Sequence, residues 1–169
     1  MLKPENPGKI MPRLAADCML GKLAKWLRIL GFDALYSNAW EERELLAASR
    51  AEGRIILTRD TRFFRRVSGS DRVIFIKNDS FRSQIQEVIS GLNCVPPEEF
   101  FFTRCSLCNH PLLDLPREEA RARVPEYVFR TQEHFAFCSR CGRTYWSGTH
   151  QKMAKEMLQE IRFPPQEKI

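Results

Sequence analysis

The sequence predicts an α/β domain built on a parallel sheet, followed by a small cysteine-rich module. Two observations carry this prediction. Up to Leu92, short apolar segments alternate with longer amphipathic ones, which is the pattern of successive strand–helix–strand crossovers. After the adjacent prolines Pro96 and Pro97, four of the six cysteines form two Cys-x-x-Cys pairs. The prolines interrupt both patterns, so we expect the boundary between the two units there.

The first half of the α/β domain is predicted to contain two strands and two helices. Leucines spaced three or four residues apart mark an amphipathic helix over residues 19–30, which follows a strand over 13–17. Gly31 stands where a glycine commonly ends a helix. A second strand over 33–36 precedes a helix over 41–52, whose acidic first turn suits the helix dipole.

The second half is predicted to contain two further strands and one helix. β-Branched and other apolar residues predict buried strands over 54–58 and 73–76. The connection between these strands is a cluster of arginines. From Ser80, apolar residues at helical spacing predict a helix as far as Leu92, with Ser80 as its N-cap.

The two cysteine pairs predict a structural zinc site. Cys105 and Cys108 form the first pair, and Cys138 and Cys141 form the second. Two such hairpins present four thiolates to one tetrahedral Zn²⁺ and leave no open position for a substrate. Thioredoxin-like redox chemistry is the alternative, but it needs a single pair at the start of a helix that follows a strand. The insert between the pairs is predicted to be a solvated excursion of a zinc ribbon.

Several acidic residues are predicted to meet at one edge of the sheet. Asp17 and Asp60 each follow a predicted strand, and the carboxyl ends of parallel strands share one edge. Asp79 follows the last strand, where it serves either this edge or the start of a helix. Asp33 opens its strand at the opposite edge, so we interpret it as structural.

The first turn of the second helix adds three more acids, Glu41, Glu42 and Glu44. A helix-dipole or capping-box role explains them, and metal binding remains open as the alternative. Converging carboxylates need a divalent cation, and their hard oxygen atoms select Mg²⁺ or Mn²⁺. Such a site suits metal-assisted hydrolysis of a phosphodiester bond.

The basic residues predict a polyanionic partner such as nucleic acid. The formal net charge is +6 and the pI is about 9.2. A cluster next to Asp60 would bind backbone phosphates, and it consists of Arg59, Arg62, Arg65 and Arg66. Lys22, on the polar side of the first helix, would extend this surface, although a solvated helix face also explains it.

Several other classes of protein find no support in the sequence. Its apolar stretches fall far short of the roughly 18 residues that a membrane-spanning helix needs, and the N-terminus has no secretory signal. We therefore expect a cytoplasmic protein. The chain has no Ser/His/Asp arrangement, glycine-rich phosphate loop or His-Glu-x-x-His motif that would offer a competing mechanism.

Four segments of the chain together carry a family resemblance. They are DCMLGKLAKWLRILGFD at 17–33, GRIILTRD at 53–60, RCSLCN at 104–109 and CSRCGRTYWSGTH at 138–150. In this order and with this spacing they resemble the Mut-seven C-terminal RNase domain family, a PIN-like nuclease domain fused to a zinc ribbon. The resemblance spans approximately residues 13–153.

This resemblance implies a PIN-like three-layer α/β/α sandwich, cleavage of RNA with Mg²⁺ or Mn²⁺, and a ribbon that helps to hold the substrate. It places the family's catalytic, metal-binding acids on Asp17, Glu44 and Asp60, with a further metal ligand on Asp79. The family's second helix opens with an aspartate-rich stretch, whereas this chain has the glutamate-rich stretch 41–44 there. Glu42 and Glu44 are therefore both candidate ligands.

The resulting expectation divides the chain into four parts. They are a flexible leader over 1–12, a PIN-like nuclease domain over 13–97, a zinc ribbon over 98–150, and a C-terminal helix and tail over 151–169. The expected function is hydrolysis of RNA by a metal-dependent ribonuclease. The alternative is a non-catalytic adaptor with the same fold that binds RNA or the ribosome.

Overall fold

The structure is a computed structural model that describes residues 11–146, 148, 153, 156 and 159. Most of the predicted leader and most of the predicted C-terminal helix lie outside the described residues. None of the helices in the described part of the chain is long and apolar enough to span a membrane.

Four parallel strands form the central sheet. They are β1 Arg13–Ala16, β2 Asp33–Tyr36, β3 Ile55–Thr58 and β4 Val73–Phe75. Their spatial order is β2-β1-β3-β4, and Ala15 of β1 lies between Leu35 and Ile56 of its two neighbours. The chain moves outward from β1 to β2 and then returns past β1 to β3, so the winding direction reverses between β1 and β3. Such a switch point opens a crevice at the carboxyl ends of the strands.

Helices cover both faces of this sheet. They are α1 Gly21–Ile29, α2 Glu42–Glu52, α3 Thr61–Val67 and α4 Phe81–Leu92. Leu27 of α1 and Ile85 of α4 belong to the core on one face, while Leu45 of α2 and Phe63 of α3 belong to the core on the other. The predicted three-layer α/β/α arrangement with a parallel sheet is confirmed.

Helix α3 was not predicted, because its seven residues carry too little periodic pattern. It contains three of the four arginines of the cluster. Asp60 caps its N-terminus, and Phe63 and Val67, four residues apart, bury its inner face against the sheet. The arginines are left on the outer side, where Arg62, Arg65 and Arg66 are exposed.

The C-terminal module contains a small antiparallel sheet in the order β5-β6-β7. Its strands are β5 Leu113–Leu115, β6 Phe135–Phe137 and β7 Thr144–Trp146. Two short helices follow β5, namely α5 Arg117–Ala120 and α6 Glu126–Thr131. The prediction of a solvated excursion between the cysteine pairs is wrong, because this insert has a core of its own, formed by Leu115, Ala120, Val128 and Phe135.

The segment after the two prolines still contributes to the α/β domain. Phe101 is buried in the main core, beside α1 and α4. Gly31 has a φ of 92°, and a Cβ placed there would lie 2.3 Å from the Phe100 carbonyl oxygen. Glycine is therefore required at the end of α1 both for its backbone conformation and for this close approach.

Candidate active site and metal centre

A pocket of about 370 Å³ lies at the switch point between β1 and β3. Residues after both strands and at the start of α2 line it. The polar side chains in this lining are Asp17, Glu41, Glu42, Thr58 and Asp60. The structure thus brings together Asp17 and Asp60, as the sequence predicted, and adds acids from a third segment of the chain.

Asp17 is held rigidly at the end of β1. It caps the short 3-10 turn Cys18–Leu20, and its Oδ1 accepts a hydrogen bond from the Met19 N–H at 2.9 Å. Its Oδ2 accepts hydrogen bonds from the Thr58 hydroxyl and from the Arg59 N–H, the latter at 2.9 Å. Only 8% of the residue is exposed. These donors fix the carboxylate in one position at the floor of the pocket.

Thr58 is a site residue that the sequence reasoning missed. Its hydroxyl donates to Asp17 and accepts from the Asp60 N–H at 3.0 Å, so it links the two aspartates. A polar residue at the end of an otherwise apolar strand was the available signal.

Asp60 keeps one carboxylate oxygen available. Its Oδ1 accepts the N–H groups of Arg62 and Phe63 at 2.7 and 2.9 Å and so caps α3. Within the described residues, Oδ2 accepts no hydrogen bond. Asp60 is exposed, so a ligand in the pocket can reach this oxygen.

The three glutamates at the start of α2 have different roles. Glu44 forms a capping box with Glu41, whose N–H donates to Glu44 Oε2 at 2.8 Å. Glu44 is not among the residues that line the pocket, whereas Glu41 and Glu42 are. Glu42 forms an ion pair with Arg66 of α3. The geometry therefore favours the capping role for Glu44, while Glu42 lines the pocket.

The structure does not bring Asp79 to this pocket. Asp79 lines a second cavity together with Lys22 and Arg59, and it forms an ion pair with Arg59. Lys22 and Arg59 therefore lie together in a cavity next to the pocket, and Arg66 of α3 contacts the pocket through Glu42. Arg62 and Arg65 are exposed on α3 and do not line either cavity.

The four cysteines of the two pairs form a compact cluster. Their sulfur atoms all lie within 4.8 Å of one another, and this is the one group of three or more potential metal ligands found so close together in the described chain. Cys105 and Cys141 Sγ are 3.6 Å apart, and Cys108 and Cys138 Sγ are 3.4 Å apart. A tetrahedral ion with bonds of about 2.3 Å needs sulfur separations of about 3.8 Å. The cluster can hold a metal ion such as zinc.

Both Cys-x-x-Cys turns share one backbone geometry. The N–H of the first cysteine donates to the carbonyl five residues later, at 2.8 Å for Cys105 and 2.9 Å for Cys138. The residue after the second cysteine has a left-handed backbone conformation, with a φ of 68° at Asn109 and 73° at Gly142. Asparagine and glycine are the residues that adopt this conformation most readily. The repeated geometry directs all four sulfur atoms to one point.

Hydrogen bonding and burial give these thiols very different pKa values. Burial raises the pKa of Cys108 to about 12. Burial also opposes ionisation of Cys105, yet hydrogen bonds from the Tyr145 hydroxyl and from the Cys108 and Leu107 N–H groups lower its pKa to about 6. The hydroxyl of Tyr145 lies 3.0 Å from Cys105 Sγ. Four thiolates at this distance need a divalent cation to be ionised together.

Arg28 joins the first cysteine turn to the α/β domain. Its Nε donates to the Ala34 carbonyl at 2.8 Å, and its Nη1 donates to the Leu107 carbonyl at 2.6 Å. The residue is 4% exposed. Burial lowers the pKa of Arg28, while the thiolates of Cys105 and Cys108 raise it. Its positive charge therefore lies where the thiolates concentrate negative charge.

Asn109 completes the same connection. Its Oδ1 accepts the Ala34 N–H at 3.1 Å, so the free edge of β2 is paired with the cysteine turn. Its Nδ2 donates to Asp33 Oδ1 at 2.7 Å, and the buried Arg54 donates to the same oxygen at 2.6 Å. Burial opposes ionisation of Asp33, but hydrogen bonds from Arg54 and Asn109 hold its pKa below the usual value.

The chain is similar to a known protein family over most of its length. The Mut7-C RNAse domain matches residues 12–158, which include both the acidic pocket and the four cysteines. No curated protein and no solved structure gives a match. The family's description is that of a ribonuclease domain, which implies RNA as the class of substrate. The chain therefore belongs to the Mut7-C RNAse domain family.

Proposed function

We propose that the chain is a metal-dependent ribonuclease that hydrolyses RNA at the pocket between β1 and β3. The observation that carries this proposal is the convergence of Asp17, Asp60 and Glu42 from three separate segments on one pocket at the switch point. Their hard oxygen atoms suit Mg²⁺ or Mn²⁺. Bound there, the cation would activate a water molecule and neutralise charge on the phosphate.

The three acids would contribute differently to such a site. Asp17 is fixed by its hydrogen-bond donors and offers an oriented carboxylate, whereas Asp60 offers its second oxygen. Glu42 is paired with Arg66, so it must exchange this partner for the cation. The exchange would leave Arg66 available to a phosphate oxygen of the substrate, because a guanidinium pairs with carboxylate and phosphate in the same geometry.

We assign the metal at the four cysteines as a structural zinc. Four thiolates complete a tetrahedral shell and leave no position for substrate. Thiolate ligands of this kind suit a reducing compartment, and we propose a cytoplasmic location on this basis.

The C-terminal module would assist RNA binding through arginines placed over aromatic rings. Arg117 and Arg121 lie 4.4 and 5.5 Å from the centroid of the Phe129 ring, and Arg123 lies 5.4 Å from that of Phe137. Arginine planes of this kind stack on bases and pair with phosphates. This surface also favours the second candidate function, a non-catalytic RNA-binding adaptor, in which the acids would bind no cation.

Cleavage assays distinguish these functions and test the choice between two glutamates. We expect wild-type protein to cleave labelled single-stranded RNA when Mg²⁺ or Mn²⁺ is added. Glu42→Gln should lower the cleavage rate at saturating metal by about tenfold or more, since it removes a charged ligand. Glu44→Gln should cleave at nearly the wild-type rate, because glutamine also serves in a capping box.

The two glutamate variants are matched controls, because they make the same chemical change two residues apart. Equal loss of activity in both would contradict the assignment of Glu42. If the wild-type chain binds RNA but does not cleave it with Mg²⁺ or with Mn²⁺, the ribonuclease proposal is rejected and the adaptor is favoured.

A further inference from the structure

A second cavity, of about 390 Å³, lies beside the acidic pocket and shares Met19 with it. Lys22 and Arg59 are the basic residues that line this cavity. The Lys22 ammonium lies 4.3 Å from the centroid of the Phe81 ring, which in turn stacks on Trp26 at 5.4 Å. Lys22 is therefore placed by a half-buried ring that packs against the core.

Arg59 connects the two cavities. Its backbone N–H binds Asp17 in the acidic pocket, and its guanidinium lines the second cavity. An RNA backbone that places one phosphate at Asp17 would therefore pass a neighbouring phosphate close to this guanidinium. Helix α4 also begins here, and its N-cap Ser80 provides no side-chain hydrogen bond to the first turn. The positive end of its dipole adds to the charge of Lys22 and Arg59.

The Asp79 carboxylate forms an ion pair with the Arg59 guanidinium in the structure. The Asp79 side chain is 91% exposed, whereas that of Arg59 is 27% exposed. An ion pair with so exposed a carboxylate is screened by water and contributes little stability. Asp79 can therefore leave Arg59 at small cost when a phosphate arrives, but it also competes with that phosphate.

We propose that Lys22 and Arg59 form a subsite for an RNA phosphate next to the one that is cleaved, and that Asp79 is its displaceable counter-ion. This inference rests on the proposed function, since it takes RNA as the ligand. It gives Asp79 a role distinct from that of a metal ligand, because Asp79 would oppose substrate binding instead of supporting the cation. Removing its charge should then strengthen RNA binding.

Fluorescence anisotropy with labelled single-stranded RNA and no added Mg²⁺ or Mn²⁺ tests this proposal. Asp79→Asn should lower the Kd by about two- to fivefold, the range expected from one exposed ion pair. The slope of log K against log salt should steepen by up to about 0.7, the value for one further neutralised phosphate on a single strand. In an Arg59→Gln background the gain should disappear, and Lys22→Gln should weaken binding.

Asp71→Asn is the matched control. This variant changes the net charge equally and releases Arg50 from an ion pair. Asp71, however, precedes β4 and so lies at the amino-terminal ends of the strands, away from both cavities. Its RNA affinity should equal that of wild type. An Asp79→Asn variant that binds RNA no better than Asp71→Asn, or that needs more Mn²⁺ for cleavage, would overturn the subsite while the ribonuclease assignment stands. Failure of the wild-type chain to bind RNA would instead overturn both.

Discussion

Replacing Asp60 by asparagine is expected to lower the rate of RNA cleavage at least about 100-fold, because it removes one of the charged ligands that the cation needs. The fold should not change. Asp60 caps α3 through Oδ1, and asparagine caps helices as well as aspartate does. The substitution therefore separates the charge of Asp60 from its structural role. Single-turnover cleavage of labelled RNA and thermal unfolding of the same samples measure the two effects.

Asp60→Ala provides the control for the structural role. It should lose as much activity as Asp60→Asn and should also lose about 1 kcal/mol of stability, since alanine cannot cap α3. If Asp60→Asn cleaves at the wild-type rate in either metal, the pocket between β1 and β3 is not the site of hydrolysis.

Removal of zinc is expected to unfold the C-terminal module and also to destabilise the α/β domain. Binding of Zn²⁺ by four thiolates supplies about 10–16 kcal/mol of apparent free energy, and the apolar cores of the module are small. Once the first cysteine turn unfolds, Arg28 loses the Leu107 carbonyl and the Ala34 N–H loses Asn109. Leaving a buried polar group without its partner costs about 1–3 kcal/mol, and a charged group such as the Arg28 guanidinium costs more.

Hydrogen exchange measures both parts of this effect in one experiment. In Cys138→Ser protein, or after chelation of the metal, amides of β5 to β7 should lose protection, and the Ala34 amide on β2 should exchange faster than in wild type. Asn109→Gly is the control for the connection alone, because glycine accepts the left-handed backbone but lacks the amide. It should speed exchange at Ala34 and retain one zinc per chain. A metal-free protein with wild-type protection throughout would contradict the account.

Much of the fold could be predicted from the sequence because its signals are local. Buried parallel strands consist of continuous apolar residues, and glycines end α1 and α2. The four cysteines were equally clear, because ligand spacing alone specifies a tetrahedral site. Helix α3 was missed because an arginine-rich segment of seven residues shows only Phe63 and Val67 as its buried pair.

The candidate site was harder to predict because its side chains contact residues that are distant in the sequence. The sequence placed Asp17 and Asp60 correctly at one edge, since strand ends determine their position. It could not choose between Glu42 and Glu44, because that choice depends on which face of α2 meets the pocket. The pairing of Asp79 with Arg59 joins residues on different connections, and no local pattern reports it.

The contacts between the α/β domain and the first cysteine turn were equally difficult to predict. No sequence pattern distinguishes Arg28 from the solvated basic residues of its helix, yet it is buried against the cysteine turn. No sequence pattern indicates that the Asn109 amide pairs the free edge of β2. Both contacts join residues more than 70 positions apart in the sequence.

The central claim is that the pocket between β1 and β3 binds the cation used for RNA hydrolysis, while the cysteines hold a structural metal. Anomalous diffraction from a crystal soaked with Mn²⁺, recorded at the manganese and zinc absorption edges, tests it most directly. We predict manganese bound between Asp17, Asp60 and Glu42, and zinc at the four cysteines. Manganese absent from the pocket while zinc fills the cysteine site would contradict the account.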